Sequence, residues 1–279
     1  MPEPSQFWSS TDFPYTCLRD RRRTAALAAV VAATVRPGDV VLDAGAGTGV
    51  LALYAARAGA RRVHAVETDP VLCRYLRQTV QRNGFADVIE VVEADVHSFA
   101  VPTVDVALAE LIETALVDEA LVSAYNALLG TGTVGRTTRC LPADYTTFGQ
   151  PVLTDDRYDG FEVVALRHDW AHYERDPQTW GTWTYTPAGP PVEIWHGEFG
   201  GDPLEPAVSA RVPVPPEVAA NGLRLTGALG MPDGSRWTDF PSLNGPKIVP
   251  LPPRPPGSAA VQVSYTMSAG FPGFEARWV

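Results

Sequence analysis

The sequence predicts a two-part fold, in which an α/β domain with a doubly wound parallel sheet is followed by a mostly β domain. Strand-like and helix-like segments alternate through the first half of the chain, which is the pattern of a parallel sheet covered by helices. Only 6 of the 26 prolines lie in residues 1–141, and the other 20 break residues 142–279 into short runs rich in Val, Tyr, Trp and Phe. We therefore divide the chain into domains 1–141 and 142–279.

The elements of the first domain can be assigned in chain order. The predicted helices share an Ala- or Leu-rich composition and span residues 24–35, 49–59 and 69–84, with another from about residue 115. The predicted strands share β-branched apolar residues and span residues 39–45, 61–67, 88–95 and 103–110. Thr24 and Asp69 suit helix N-caps, and Gly59 and Gly84 suit helix C-termini.

The composition argues against several classes of protein. The net charge of -10 opposes broad binding to nucleic acid or to an anionic membrane, and it is compatible with a cationic ligand. The widely spaced Cys17, Cys73 and Cys140 predict reduced thiols and no metal site. No apolar run reaches about 18 residues and no signal-peptide pattern opens the chain, so we expect a cytoplasmic protein.

A glycine-rich loop follows the first predicted strand. Asp43 ends that strand, and Gly45, Gly47 and Gly49 occupy alternate positions before the next helix. Glycines at such a turn let the backbone approach a ligand closely at the edge of the sheet. A nicotinamide dinucleotide site would require glycine at position 50, where the chain has Val50. The spacing therefore favours a different nucleoside-containing cofactor.

Acidic residues close the next two predicted strands. Glu67 ends the second strand, where a carboxylate can accept hydrogen bonds from both hydroxyls of a ribose. Asp95 ends the third, and Val96 and His97 follow it at a position that would flank a purine, although a surface histidine is an equally good interpretation of His97. With the D-x-G-x-G-x-G loop, this arrangement resembles the S-adenosylmethionine site of class I methyltransferases.

The segment AELIETALVDEAL, residues 109–121, carries two glutamates nine positions apart, Glu110 and Glu119. Periodicity alone favours an amphipathic helix with an acidic first turn, because carboxylates suit a helix N-terminus. The position directly after the fourth strand, at the edge of the sheet that would hold the cofactor, favours instead two carboxylates that converge on a cationic substrate. Glu113 lies between them and is predicted to be a neighbouring charge in the pocket.

Three segments together resemble the protein arginine methyltransferases: LRDRRRT (18–24), VVLDAGAGTGVLALYAARAGARRVHAVE (40–67) and AELIETALVDEALVSAYNALL (109–129). In that family a basic helix ends in an Arg-Thr pair before the glycine loop, and a "double-E" hairpin follows the fourth strand. Both glutamates of the hairpin fall on Glu110 and Glu119. The resemblance covers about the first 140 residues and implies that a β-barrel substrate domain follows.

The resemblance also implies a role for each candidate residue. For the cofactor S-adenosylmethionine these are Arg23 at the methionine carboxylate, Asp43, Gly45 and Gly47 at the amino-acid end, Glu67 at the ribose, and Val96 with His97 at the adenine. Glu110 and Glu119 would clamp a guanidinium through charge-assisted hydrogen bonds. We therefore expect an N-methyltransferase that acts on an arginine or guanidino-like nitrogen.

The chain departs from the family at three places. Any aromatic lid would be built differently, from Phe7, Trp8, Phe13 and Tyr15. The Thr-His-Trp loop that braces the double-E hairpin is replaced by Leu243, Asn244 and Gly245. The arm through which family members dimerise is not evident from the sequence, and residues 169–180, an amphipathic aromatic segment, are predicted to supply it in a possible homodimer.

These departures favour a small-molecule or peptide acceptor over an ordinary protein arginine. Two alternatives stay open. One is a methyltransferase of the same fold that acts on a different amine, hydroxyl or carboxyl group in specialised metabolism. The other is a non-catalytic partner that binds the cofactor.

Overall fold

The computed structural model describes residues 13–168, 184–238 and 245–279. Five strands form one parallel sheet: β1 (Val40–Ala44), β2 (Arg62–Glu67), β3 (Ile89–Glu93), β4 (Val106–Ala109) and β5 (Arg139–Leu141). Five helices accompany it: α1 (Phe13–Arg19), α2 (Arg21–Thr34), α3 (Val50–Arg57), α4 (Pro70–Arg82) and α5 (Leu121–Gly130). The predicted α/β sheet is confirmed.

The strand order of this sheet places a ligand-binding crevice beside β1. The order is β3-β2-β1-β4-β5, and every neighbouring pair is parallel. The chain runs outward from β1 to β3 and then returns to add β4 and β5 on the other side. Open sheets of this kind bind ligands where the direction reverses, at the carboxyl ends of β1 and β4. The glycine loop follows β1, and the segment with both glutamates follows β4.

The second half of the chain is antiparallel. Its strands are β6 (Asp144–Thr154), β7 (Arg157–Tyr158), β8 (Phe161–Glu162), β9 (Arg167–His168), β10 (Tyr185–Pro187), β11 (Val192–Glu198), β12 (Ala207–Pro213), β13 (Gly222–Gly230), β14 (Arg236–Trp237), β15 (Lys247–Pro250), β16 (Ala260–Thr266) and β17 (Glu275–Trp278). One sheet has the order β10-β6-β13-β15-β9, with β11 on β6 and β14 on β13, and a second has the order β12-β16-β17. Strands β7 and β8 form a separate hairpin.

A common apolar core joins the two larger antiparallel sheets. Val212 of β12 packs directly over Gly149 of β6, where an added Cβ would lie 3.0 Å from the valine Cγ2. Leu223, Val261 and Val263 are completely buried in the same core. Burial of these aliphatic side chains is a main source of the domain's stability. The predicted mostly β second half is confirmed.

Several predicted boundaries were wrong. Helix α2 begins at Arg21 and is capped by Asp20, whose carboxylate accepts the Arg23 N–H at 2.9 Å, so Thr24 is not the N-cap. Strand β3 ends at Glu93, two residues before Asp95. Helix α5 begins at Leu121 rather than near residue 115.

The late start of α5 has a local cause. Residues Thr114–Leu116 form a 3₁₀ turn, within which Ala115 (φ 68°) and Leu116 (φ 53°) adopt left-handed backbone conformations. A right-handed helix cannot pass through such residues. Glu119 therefore precedes the helix, and the interpretation of it as an acidic residue in the first turn of an amphipathic helix was wrong. Among the described residues, no helix has the length and apolar character needed to cross a membrane.

Candidate active site

A cavity of about 320 Å³ lies at the carboxyl edge of the parallel sheet. Its wall includes all nine residues predicted for the site: Arg23, Asp43, Gly45, Gly47, Glu67, Val96, His97, Glu110 and Glu119. They come from α2, from the ends of β1 and β2, and from the loops that follow β1, β3 and β4. Phe13 and Cys17 of α1 close one side of the cavity. The predicted lid residues Phe7 and Trp8 lie outside the described residues.

The glycine loop is held in place by β2. The N–H groups of Gly45 and Ala46 both donate to the Val66 carbonyl, at 3.0 and 2.9 Å. Gly45 has a φ of 73°, and a Cβ at this position would lie 2.6 Å from the Leu111 side chain. Glycine at position 45 is therefore required both by the backbone conformation and by the close approach of Leu111.

Glu67 fixes the same loop with its side chain. Its Oε2 accepts the Gly47 N–H at 2.8 Å, and its Oε1 accepts the Asp69 N–H at 2.9 Å. The side chain is buried and faces the cavity. A carboxylate has about four lone-pair sites, so both oxygens retain acceptor capacity for the hydroxyls of a ribose. The sequence predicted that Glu67 binds the ribose, but it did not predict that the same carboxylate holds the glycine loop through Gly47.

Asp43 lies at the base of the cavity. Its carboxylate accepts the Ala52 N–H of α3 at 2.9 Å, which ties the end of β1 to the helix beyond the loop. Burial raises the pKa of Asp43 to about 7, and the charges of Glu67 and Glu110 add to this shift. A cationic group in the cavity would favour the ionised form, which suits the amino group predicted to bind here.

Val96 and His97 line the end of the cavity beyond β3. Val96 is buried, whereas the His97 side chain is 41% exposed. Both nitrogens of His97 already have partners, Asp95 Oδ1 at 2.7 Å and Ser123 Oγ at 2.9 Å. The ring is therefore oriented by hydrogen bonds, and only its face is available to a bound purine.

Arg23 provides a cation inside the cavity. The side chain is buried, and its guanidinium forms an ion pair with Glu110 and donates to the Cys17 carbonyl at 3.3 Å. Burial raises the pKa of Glu110, and Arg23 opposes that shift. The Arg23 Nε is buried without a hydrogen-bond partner among the described residues. This orphaned donor fits the carboxylate of a methionine moiety, as the resemblance implies.

Glu119 is the second acidic residue of the cavity, and its charge is uncompensated. Burial raises its pKa to about 7, with further contributions from Glu110, Glu113 and Asp118. Among the described residues, no hydrogen bond or ion pair reaches its carboxylate. Only its backbone is held, because Ser268 Oγ donates to the Glu119 carbonyl at 2.9 Å. The site therefore favours a cation beside Glu119.

Glu113 does not line the cavity itself, but its charge adds to the raised pKa of Glu119, so it is a neighbouring charge just outside the cavity wall. Its buried side chain forms an ion pair with Lys247 of β15. Lys247 lies three residues beyond Asn244, in the region where the family's histidine loop is expected. Leu243 and Asn244 themselves lie outside the described residues, as do residues 169–180.

Comparison with known proteins places this site in a methyltransferase domain. Residues 21–123 match the model of the TRM5/TYW2 methyltransferase domain. An arginine N(omega)-methyltransferase from Streptomyces achromogenes subsp. streptozoticus is 35% identical over 114 residues, which cover 39% of this chain and 31% of that protein. An uncharacterized protein from Methanocaldococcus jannaschii is 35% identical over 130 residues, 46% of this chain and 49% of its own length. The chain thus spans about half, or less, of the length of these curated relatives.

Solved structures share the whole architecture. Protein arginine methyltransferase 10 from Arabidopsis thaliana, described as uniquely open, has a TM-score of 0.64 at 18% identity, over 90% of this chain and 86% of that one. The PRMT1 enzyme-prozyme heterotetrameric complex with AdoHcy from Trypanosoma brucei has a TM-score of 0.63 at 16% identity, over 98% of each chain. These structures show that the chain has their fold, and because residues 21–123 match a methyltransferase domain, the chain resembles the class I methyltransferases, which use S-adenosylmethionine.

Proposed function

We propose that the chain is an S-adenosylmethionine-dependent N-methyltransferase that acts on an arginine or guanidino-like nitrogen of a small molecule or peptide. The Glu119 carboxylate is the observation that carries this proposal. It faces the cofactor cavity among three acidic neighbours, and no cation of the described residues is bonded to it. A guanidinium supplies the missing positive charge in a planar form that two carboxylates can bind.

For transfer of the methyl group, the protein needs mainly to bind the cofactor and the acceptor and to align them. The cofactor, when bound, supplies an electrophilic methyl group on its sulfonium. Glu110 and Glu119 would hold the guanidinium and draw its positive charge toward the bound nitrogens, which leaves the lone pair of the attacking nitrogen more available. Fixed orientation of the two reactants lowers the barrier substantially. With a pKa of about 7, Glu119 can also accept the proton that the methylated nitrogen releases.

A small acceptor is favoured over a folded protein for two reasons. The relative from Streptomyces achromogenes is named as an arginine N(omega)-methyltransferase rather than as a protein arginine methyltransferase. The chain also lacks the Thr-His-Trp sequence of the enzymes that methylate protein arginine, with Gly245 at its last position. Free L-arginine is therefore the first acceptor to test.

An acceptor series tests this proposal directly. We expect S-adenosylhomocysteine to form with L-arginine, agmatine or a short arginine peptide, and mass spectrometry to locate the methyl group on a guanidino nitrogen. L-citrulline is the matched control, because it has nearly the same shape without the positive charge, and we expect no turnover with it. Equal turnover of citrulline, or methylation of a hydroxyl or carboxyl group, would refute the guanidinium proposal. Cofactor binding without turnover of any acceptor would favour the non-catalytic alternative.

We also propose that the chain pairs with a second copy of itself. The β7–β8 hairpin and the residues after it expose apolar side chains, among them Phe161 (72% exposed) and Val164 (65% exposed). Contiguous exposed apolar residues commonly mark a protein interface. Sedimentation velocity should show a dimer that Phe161→Ser with Val164→Ser shifts to monomer, whereas Arg157→Ser on the same hairpin leaves it intact. A parent protein that sediments as a monomer at micromolar concentration would disprove the pairing.

A further inference from the structure

The double-E hairpin, residues 110–119, is shaped mainly by the second domain. Thr114 Oγ1 donates to the Gly245 carbonyl at 2.5 Å. The Tyr145 hydroxyl accepts the Ala115 N–H at 3.1 Å, and the Tyr265 hydroxyl donates to the Ala115 carbonyl at 2.9 Å. Both backbone polar groups of Ala115 are thus bonded to tyrosines of the other domain. Tyr145 lies on β6 and Tyr265 on β16, whereas Gly245 lies two residues before β15.

These contacts act on the turn whose backbone is left-handed. Residues that lack glycine's freedom hold such conformations only where the surroundings enforce them. Further along the turn, the Ser268 N–H donates to the Leu116 carbonyl at 3.0 Å, and the Gly270 N–H donates to the Val117 carbonyl at 2.9 Å. The direction in which Glu119 leaves the turn is therefore set in part by Ser268 and Gly270, which lie more than 140 positions later in the chain.

Lys247 supplies the charged contact in this set. Its side chain is 2% exposed, and its ammonium forms an ion pair with the buried Glu113 and lies 3.3 Å from Asp118 Oδ2. Glu113 Oε1 also accepts the Asp118 N–H at 2.9 Å, which closes the turn between these two acids. The ammonium lies 5.0 Å from the centre of the Phe271 ring. The buried ammonium of Lys247 thus contacts Glu113 at the beginning of the turn and Asp118 at its end, directly before Glu119.

Lys247 is also the only lysine in the sequence. The chain has 22 lysine and arginine residues in total, and the other 21 are arginines. Lysine is seldom fully buried in proteins unless it is paired. Arg23 compensates Glu110, and Lys247 compensates Glu113, so among the acids of the hairpin it is Glu119 that lines the cavity without a cationic partner among the described residues.

We propose that Lys247 is a positioning residue for methyl transfer, whose ion pair with Glu113 holds the double-E hairpin so that Glu119 faces the acceptor. This inference rests on the function proposed above. Lys247 is the first residue of β15 and lies two residues after Gly245, the last of the three positions at which the resemblance would place the histidine loop. A purely stabilising pair is the competing interpretation, because removal of one partner of any buried ion pair destabilises a fold.

Four variants separate these interpretations: Lys247→Met, Glu113→Gln, the double variant with both changes, and the charge-swapped Glu113→Lys/Lys247→Glu. The double variant removes both charges of the pair, so neither Glu113 nor Lys247 is left as an unpaired buried ion that would itself destabilise the fold. Each would be assayed with S-adenosylmethionine and L-arginine at a temperature well below its unfolding midpoint. Arg167→Met is the matched control. Arg167 lies on β9, the strand that pairs with β15, and it forms a partly buried ion pair with Asp156.

We expect Lys247→Met and the double variant to lower kcat at least tenfold while the Kd for S-adenosylhomocysteine changes less than twofold. Recovery in the charge-swapped variant would support the pair further. A kcat within twofold of the parent in the double variant, or a loss no larger than that of Arg167→Met, would overturn the inference. If Glu119→Gln is inactive while Lys247→Met is fully active, only the positioning role fails. If Glu119→Gln is as active as the parent, the proposed function fails.

A second measurement needs no acceptor. Because the chain has one lysine, an amine-reactive ester followed by peptide mass spectrometry reports the accessibility of Lys247 alone, with the N-terminal amine as internal reference. We expect labelling of Lys247 in the folded parent to be at least tenfold slower than in urea, and Glu113→Gln to raise it. Labelling of the folded parent at the unfolded rate would overturn the ion pair itself.

Discussion

Replacement of Glu119 by glutamine should lower kcat with L-arginine by about 100-fold or more, while the Kd for S-adenosylhomocysteine changes by no more than about twofold. Removal of one preorganised charged contact to a reacting group typically has an effect of this size. Glutamine keeps the shape of the side chain and removes the charge that holds the guanidinium. Glu110→Gln should behave similarly, with a larger effect on cofactor binding because Glu110 also pairs with Arg23. Steady-state kinetics and isothermal titration measure the two quantities.

Glu275→Gln on β17 is a suitable control, since this exposed acid lies outside the cavity. It should leave both constants unchanged. Activity of Glu119→Gln within a few-fold of the parent would disprove the guanidinium clamp.

The parent protein provides an independent measurement of the same carboxylate. Glu119 has a raised pKa of about 7, so it is protonated below that pH and charged above it. Only the charged form attracts a guanidinium, which stays protonated over this whole range. The kcat/KM for L-arginine should therefore fall about tenfold per pH unit below about pH 7. A flat profile between pH 5.5 and 8 would contradict the assignment.

Glu67→Ala should weaken the binding of S-adenosylhomocysteine by roughly 100-fold, because a charged hydrogen bond to a ribose hydroxyl contributes about 1.5–3 kcal/mol. The same change leaves the N–H groups of Gly47 and Asp69 without their acceptor. Each buried N–H that loses its partner costs about 1–3 kcal/mol, so the free energy of unfolding should fall by about 3 kcal/mol. Urea unfolding and titration calorimetry give the two values.

Glu93→Ala is the matched control for this change. Glu93 is the register partner of Glu67 on the neighbouring strand, but it is exposed and lies 3.5 Å from Arg77 at the surface. We expect little change in either quantity. Unchanged cofactor affinity in Glu67→Ala would show that this carboxylate does not hold the ribose.

The sequence allowed prediction of those parts of the fold that depend on local pattern. The parallel strands, the glycine loop and the position of Glu67 at the end of β2 all follow from residues close together in the chain. Helix periodicity failed at residues 115–120 because the left-handed turn is imposed by Tyr145 and Tyr265, which belong to the other domain. The pairing of Glu113 with Lys247 joins residues 134 positions apart, and no local pattern specifies such a contact. The sequence carried one indication that Lys247 has a special role, which is that it is the single lysine of the chain.

The hairpin lies in the first half of the chain, but residues of the second half give it its shape. Such a site therefore cannot be inherited through the first half alone. A recombination event that joined residues 1–141 to a different β domain would keep the glycine loop, Glu67 and both glutamates of the hairpin in the sequence. It would lose both tyrosines and the lysine that give the hairpin its shape. The two halves are therefore expected to diversify together, and a new acceptor would arise more readily through paired changes across the domain boundary than through exchange of a whole domain.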